Sequence, residues 1–130
     1  KIVRYISICL LFTFIGSLFP TKAQDNPYKI DHSLYLLYEE ATKHRNNATG
    51  LEIADTIKAI RINDKKAQCL ALTIPVIYYF NNGKTELLEK AISRLQEISR
   101  KNNYLQYYYF GSIYKVNYLM NTGNTLRALQ

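Results

Sequence analysis

Apolar residues recur with a helical period between residues 32 and 60. One set follows the i, i+3, i+4, i+7 spacing of an amphipathic helix, and a second set lies on one face of another helix. The two sets are Leu34, Leu37, Tyr38 and Ala41, and Ile53, Ala54, Ile57 and Ile60. Asp31 or Ser33 is expected to cap the first helix. Thr49 and Glu52 have the spacing of a capping box, which predicts the start of the second helix.

The segment AQCLALTIPVIYYF, residues 67–80, is apolar around nearly its whole circumference. Such a helix belongs between neighbours rather than on a surface. Pro75 removes one backbone hydrogen bond and costs about 3 kcal/mol in an ideal helix, so we expect a kink or a break between Thr73 and Val76. The sequence Asn-Asn-Gly at 81–83 tolerates the left-handed conformation and is expected to end the helix.

A strongly amphipathic helix is predicted from Thr85 to the Asn-Asn pair at 102–103. Its outer face carries opposite charges four residues apart, which pair across one helical turn. These pairs are Glu86 with Lys90 and Glu97 with Lys101. The inward positions predicted from the period are Leu87, Leu88, Ala91, Leu95 and Ile98.

Tyrosines crowd the next segment, YLQYYYFGSIYKVNYLM at 104–120. A helical wheel gives two apolar stripes, and a helix that is apolar on two faces requires two neighbours. We therefore interpret the tyrosines as packing residues inside a fold. Gly111 costs roughly 1 kcal/mol relative to alanine in mid-helix, which indicates a close crossing of a neighbouring helix. The first stripe is Tyr107, Phe110, Gly111, Tyr114 and Tyr118, and the second is Tyr109, Ile113, Val116 and Met120.

A unit of long apolar helix, Asn/Thr-Gly turn and amphipathic helix repeats along the chain. A shift of 40 residues superposes Val76, Tyr78, Asn81 and Gly83 on Val116, Tyr118, Asn121 and Gly123. No alternation of period two persists, so a β-sheet is not favoured. We predict an all-α fold of tetratricopeptide-like helical hairpin repeats, an α-solenoid, over residues 32–130. This region is expected to be incomplete at its C-terminal end, where 124–130 begins another helix.

The first 23 residues carry the pattern of an export signal. Lys1 and Arg4 precede an apolar run at 5–19, and Thr-Lys-Ala at 21–23 supplies small residues for a cut after position 23. An uncleaved membrane anchor is the alternative, but a spanning helix takes about 20 apolar residues. Residues 24–29 are polar and contain Pro27, and residues 24–31 are expected to form an extended leader.

The formal charge of +7 falls when the signal is set aside, because Lys1, Arg4 and Lys22 lie within it. The remaining 14 Lys and Arg (17 less 3) face 10 Asp and Glu, a balance of +4 with a mild basic bias. Only Cys69 remains outside the signal, so no disulfide framework is expected. An exported chain without disulfides fits a bacterial periplasm or cell envelope.

No catalytic, cofactor or metal site is predicted. His32 and His44 have no further ligand at metal-like spacing, and no phosphate-binding glycine loop is present. A small exported enzyme using Cys69 is the alternative, although the apolar sequence around it is typical of a buried, inert thiol. Nucleic acid is not an expected partner, because the basic residues interleave with acids.

Five stretches together resemble the exported N-terminal region of bacterial tetratricopeptide-repeat sensor proteins. They are NPYKIDHSLYLLYEEA, GLEIADT, KKAQCLALTIPVIYYF, RLQEISRKNNYLQYYYF and LMNTGNTLRALQ. The resemblance implies repeats outside the inner membrane, followed by a transmembrane helix and a signalling module, often a histidine kinase. The phosphoacceptor and ATP-binding motifs of that family would lie downstream, so none of its functional residues is carried over.

The expected function is non-catalytic binding of a protein or peptide by the concave helical face. In this interpretation the chain is the periplasmic sensory part of a membrane-bound signalling protein, and it meets the membrane only through the signal or a later helix. A remnant of a broken gene is a further alternative. Core packing is the competing interpretation of each candidate groove residue, and these candidates are Tyr78, Tyr108, Tyr114 and Tyr118.

Overall fold

The computed structural model describes residues 26–123. Five helices occupy this range: α1 His32–Lys43, α2 Ala48–Ile60, α3 Lys65–Asn81, α4 Thr85–Lys101 and α5 Leu105–Asn121. No strand occurs among these residues, which confirms the all-α prediction for this part of the chain. The predicted export signal and the helix predicted to begin within 124–130 lie outside the described residues.

The last three helices repeat with a regular spacing. Each is 17 residues long, and their first residues are 65, 85 and 105. The second residue after each helix adopts a left-handed conformation, at Gly83 (φ 65°), Asn103 (φ 56°) and Gly123 (φ 77°). The predicted helix ends are therefore confirmed, and α3 and α5 have the same bounds after the 40-residue shift.

Backbone hydrogen bonds explain why these turns are alike. After α3, the Lys84 N–H donates to the Tyr79 carbonyl at 2.9 Å. After α4, the Tyr104 N–H donates to the Ser99 carbonyl at 2.8 Å. Both are the long hydrogen bond of a Schellman motif, which reverses the chain within three residues and sets consecutive helices side by side.

The start of α1 is capped by Asp31, one of the two predicted caps. Its Oδ1 accepts a hydrogen bond from the Leu34 N–H at 3.0 Å and another from Arg61 Nη2 at 2.8 Å. Burial alone would raise the pKa of Asp31, but hydrogen bonds from Ser33, Leu34 and Arg61 outweigh it and lower this pKa below its usual value. The same carboxylate thus ties the start of α1 to the end of α2.

The start of α2 differs from the prediction. Its N-cap is Asn47, whose Oδ1 accepts from the Thr49 N–H at 3.0 Å, so the predicted capping box of Thr49 and Glu52 is wrong. Asparagine caps a helix at least as well as threonine and stands two residues earlier in the chain. The helix therefore begins at Ala48, and Thr49 lies inside its first turn.

Helix α3 occupies the centre of the fold. It contacts α1, α2, α4 and α5, and positions 67–76 are buried except Gln68, as its all-round apolar sequence predicted. Of the kink or break predicted at Pro75, the break is wrong, because α3 is helical without interruption from Lys65 to Asn81. Burial against four neighbours stabilises the helical path by more than the single hydrogen bond that proline removes.

The remaining helices arrange themselves around α3 in a distinct pattern. α1 contacts α3 and α3 contacts α5, whereas α2 and α4 do not contact each other. Each helix also packs against the next one along the chain. The structure therefore places α1, α3 and α5 in a row, with α2 against the first two and α4 against the last two.

Two predicted inward residues are exposed. Ile60 is 39% exposed at the last position of α2, and Leu87 is 46% exposed in the first turn of α4. The other four residues predicted to face inward from α4 are buried, together with Ile92 and Ser99; these four are Leu88, Ala91, Leu95 and Ile98. Ile60 and Leu87 both lie at helix ends, where a neighbouring helix covers less of the helix surface.

The segment before α1 is not the extended leader predicted for 24–31. The Asn26 amide donates to the Ile30 carbonyl at 2.8 Å, and its Oδ1 accepts from the Ile30 N–H at 3.2 Å, so 26–30 form a compact turn. Ile30 is buried and Tyr28 packs against the core. Burial of the apolar surface of these two side chains stabilises the packing of this segment onto α1.

Two glycines lie where helices or loops approach closely. A β-carbon at Gly50 would stand 2.5 Å from the His44 carbonyl oxygen, a backbone atom that cannot move independently. A β-carbon at Gly111 would stand 3.0 Å from Cγ of Gln96, a side-chain atom of α4. The close crossing predicted at Gly111 is therefore confirmed, but the contacting atom belongs to a flexible side chain.

Substitution of these glycines is expected to separate the two cases. Gly50→Ala should lower the free energy of unfolding by about 2 kcal/mol because the loop before α2 must shift. Gly111→Ala should change it by less than about 1 kcal/mol, because Gln96 can rotate and alanine favours the helix. Urea denaturation followed by circular dichroism measures both. Equal losses of unfolding free energy in the two variants would contradict the conclusion that only Gly50 contacts a rigid backbone atom.

Candidate binding pocket between α1, α3 and α5

A pocket of about 390 Å³ opens on the row formed by α1, α3 and α5. This volume lies at the lower end of the range of about 300–1,000 Å³ that is usual for ligand sites. No residue of α2 or α4 lines it. The lining residues are Pro27, Tyr28, Tyr38, Leu70, Thr73, Gln106, Tyr107 and Phe110.

Aromatic rings form much of the wall. The rings of Tyr28 and Tyr38 meet edge to face, with centroids 5.0 Å apart and an interplanar angle of 75°. Tyr28 is held there by the turn that Asn26 closes, and its ring also lies 6.3 Å from that of Tyr35. The turn before α1 therefore contributes one side of the pocket.

A short hydrogen-bonded chain fixes the wall between α1 and α3. The Thr73 hydroxyl donates to the Leu70 carbonyl at 2.6 Å, so it accepts from the Tyr38 hydroxyl at 3.0 Å. Burial raises the pKa of Tyr38 to about 12. The neutral form of Tyr38 is thereby favoured. Its contribution to stability is present below about pH 10 and is lost as the pH rises through the folded-state value.

Tyr107 differs from Tyr38 in its hydrogen bonding. Only 5% of the residue is exposed, and its buried hydroxyl has no hydrogen-bond partner among the described residues. Burial, reinforced by nearby Tyr38, raises the pKa of Tyr107 well above its usual range. Gln106 lowers the pKa of Tyr107 by a smaller amount, but it is too poorly aligned to form a hydrogen bond with the Tyr107 hydroxyl. The hydroxyl of Tyr107 is therefore neutral and enclosed by the packing around it.

The pocket lining has no charged side chain, whereas the exposed face of α4 carries ion pairs. On α4, Lys90 pairs with Glu86 at 3.0 Å, and Glu97 receives both Arg94 and Lys101 at 3.0 Å. Hydrogen bonds from Lys101 and Arg94 lower the pKa of Glu97. The two predicted pairs on α4 are confirmed. The lining itself holds no Asp, Glu, Lys, Arg or His.

The four predicted groove tyrosines do not converge on one site. Tyr114 lies beside the pocket, with its ring 4.8 Å from that of Phe110 and 5.2 Å from that of Phe80. Tyr118 lines a smaller cleft between α4 and α5. Each of the other two has its ring against the next residue along the chain, Tyr78 against Tyr79 and Tyr108 against Tyr109.

The sequence prediction missed Tyr28, Tyr38 and Tyr107 as site residues. Tyr38 and Tyr107 were assigned to apolar packing stripes, and both are indeed buried. A tyrosine hydroxyl on an otherwise apolar helix face could have indicated the site, because a buried hydroxyl requires a hydrogen-bond partner. The role of Tyr28 had no sequence signal, because its segment was expected to be extended.

No other helix within residues 26–123 covers the second apolar stripe of α5. Its members are 37% to 60% exposed, which contradicts the prediction that both stripes are covered. α3 and α4 both contact the opposite side of α5. The exposed residues are Tyr109, Ile113, Val116 and Met120.

Cys69, the candidate nucleophile of the alternative hypothesis, is fully buried in α3. Burial raises the pKa of its thiol from 9.0 to about 11. The thiolate fraction near neutral pH is therefore lower than that of an exposed thiol. The surroundings of Cys69 are those of an inert thiol, as the sequence indicated.

Comparisons with known protein families, with characterised proteins and with solved structures find no match to this chain. Within residues 26–123, no three His, Cys, Asp or Glu side chains converge as metal ligands. No helix in this range combines the length and the hydropathy needed to cross a bilayer. The pocket geometry is therefore the principal basis for a functional proposal.

The two buried tyrosines provide a matched test of hydrogen bonding in the pocket. Tyr38→Phe should lower the free energy of unfolding by about 1 kcal/mol, because it removes a satisfied hydrogen bond to Thr73. Tyr107→Phe should leave stability unchanged or raise it by up to about 1 kcal/mol, because it removes a buried hydroxyl without a partner. Chemical denaturation of both variants measures the difference. A loss at Tyr107→Phe as large as that at Tyr38→Phe would contradict this description.

Reactivity of Cys69 toward an alkylating reagent tests its burial. At pH 8 the folded protein should react at least about 100-fold more slowly than the urea-unfolded chain, because reaction requires opening of α3 and a thiolate that burial disfavours. The unfolded chain serves as the internal control. Comparable rates in both states would show an accessible, activated thiol.

Proposed function

We propose that this chain is a tetratricopeptide-like helical-repeat scaffold that binds a protein or peptide segment without catalysing a reaction. Three features support the solenoid: the 20-residue spacing of α3, α4 and α5, the repeated left-handed turns, and the contacts along the row α1, α3 and α5. Helices in this row contact one another, whereas α2 and α4 do not. The array therefore curves with the row on its inner side.

The observation that carries the proposal is the aromatic, uncharged pocket on this inner face. Three helices and the turn before α1 combine to build it, so it is a product of repeat stacking rather than of any one helix. Concave faces of stacked helical pairs provide extended grooves for peptide ligands. The ring cluster of Phe80, Phe110 and Tyr114 extends the aromatic surface beside the pocket.

The cellular role we propose is sensory. Residues 1–23 have the pattern of an export signal, and the chain resembles the exported region of bacterial sensor proteins. In this role the scaffold lies in the periplasm or cell envelope and passes ligand binding to a downstream signalling module in the same protein. The buried, weakly ionisable Cys69 gives no support to the alternative of a cysteine-dependent enzyme.

Two half-buried tyrosines of α5 provide the test. Peptides selected from a random displayed library against the protein should lose at least about 10-fold in affinity with Tyr114→Ala, because hot-spot aromatic residues carry such losses. Tyr118→Ala, four residues along the same helix but in the α4–α5 cleft, should leave their affinity within about 2-fold. Isothermal titration calorimetry measures both, and circular dichroism checks that each variant folds.

Failure to select any peptide would count against the binding scaffold. Peptides whose affinity depends on Tyr118 and not on Tyr114 would move the binding surface to the α4–α5 cleft and contradict the proposed face.

A further inference from the structure

The second apolar stripe of α5 has the spacing of a helix-pairing surface. Its four exposed residues follow one another at intervals of four, three and four, as in the apolar seam between two paired helices. Within residues 26–123, α3 reaches α5 at Tyr114 and α4 reaches it at Gly111, both of which belong to the first stripe. The second stripe therefore offers a free face that fits a helix better than an extended peptide. Its residues are Tyr109, Ile113, Val116 and Met120.

The stripe also has the composition of an interface centre. Aromatic residues and methionine are enriched at the centre of protein interfaces, and charged residues are depleted there. Tyr109 and Met120 form the two ends of the stripe. The only charged residue of α5 is Lys115, which lines the cleft towards α4 instead. Two copies of this face would therefore meet without repulsion between like charges.

The pattern of the stripe is complementary to itself. Its intervals read the same in both directions along α5, as an isologous contact of two antiparallel helices about a two-fold axis requires. In such a pair Ile113 lies opposite Val116 of the second copy. Tyr109 lies opposite Met120 of the second copy, and contact between an aromatic ring and a methionine sulfur is favourable. The antiparallel arrangement also opposes the two helix dipoles.

We propose that the stripe is a dimer interface, in which α5 pairs with the antiparallel α5 of a second copy of this chain. The contact uses four side chains of each copy, so it belongs with the smallest interfaces, below about 1,200 Å² in total, which are typical of transient complexes. We therefore expect a reversible dimer that dissociates on dilution. The stripe shares no residue with the pocket, so the dimer does not depend on the proposed peptide-binding function.

Sedimentation velocity at increasing protein concentration tests the dimer. We expect the protein to pass from monomer to dimer between about 1 µM and about 1 mM, the range of weak complexes. Ile113→Glu should raise the Kd of the dimer at least about 10-fold, because it places an unpaired charge at the centre of the contact. Circular dichroism checks that the variant folds.

Ile62→Glu is the matched control for this substitution. Ile62 is 68% exposed, against 59% for Ile113, but it follows α2 and lies outside the stripe. Its replacement should change the Kd of the dimer by less than about 2-fold. Equal weakening by the two substitutions would overturn the inference, because it would show an effect of added charge rather than of position.

An exchange of charges tests the antiparallel pairing. Ile113→Lys and Val116→Glu should each weaken self-association, because each places a charge without a partner in the contact. An equimolar mixture of the two variants should restore dimers, because the substituted positions lie opposite each other and carry opposite charges. A mixture that associates no better than either variant alone would overturn this pairing.

Two further outcomes would overturn the inference. One is a dimer whose Kd Ile113→Glu leaves unchanged, which would place the contact elsewhere. The other is a protein that stays monomeric at every concentration. If Ile113→Glu then lowers the melting temperature of the monomer more than Ile62→Glu does, the stripe is covered from within the same chain.

Discussion

The burial of α3 on every side is the constraint on which the rest of the structure depends. A helix that is apolar on all sides is unstable when it is exposed to water, and four neighbouring helices cover this one. Its one partly exposed residue within 67–76, Gln68, donates to the Lys58 and Arg61 carbonyls at 3.0 and 2.8 Å and so satisfies the end of α2. The same surroundings keep α3 continuous through Pro75.

The pocket follows from how this central helix is enclosed. α1 and α5 flank α3 on one face, and the turn at 26–30 closes the remaining side with Tyr28. Where the flanking helices present tyrosine rather than leucine, hydroxyl groups enter an otherwise apolar interior. Thr73 satisfies the hydroxyl of Tyr38, while that of Tyr107 has no hydrogen-bond partner within residues 26–123, at a typical cost of about 1–3 kcal/mol.

Charge is distributed so that the pocket lining and the exposed face of α4 differ in kind. The outer face of α4 carries ion pairs such as that of Glu97 with Arg94 and Lys101, which keep it solvated and add little to stability. The pocket contains none of these groups. The charged groups therefore contribute to solubility, while shape and aromatic faces define the proposed recognition surface.

The sequence by itself determined the helices, their turns and the central place of α3, because a 3.6-residue period and left-handed turn residues act locally. It also indicated the inert character of Cys69. Only the tertiary structure decided that Pro75 leaves α3 intact, that the 26–30 turn folds inward and that the predicted groove tyrosines lie apart. These features depend on neighbours distant in the chain. The pocket around Tyr107 joins residues nearly 80 positions apart, a juxtaposition that no local pattern encodes.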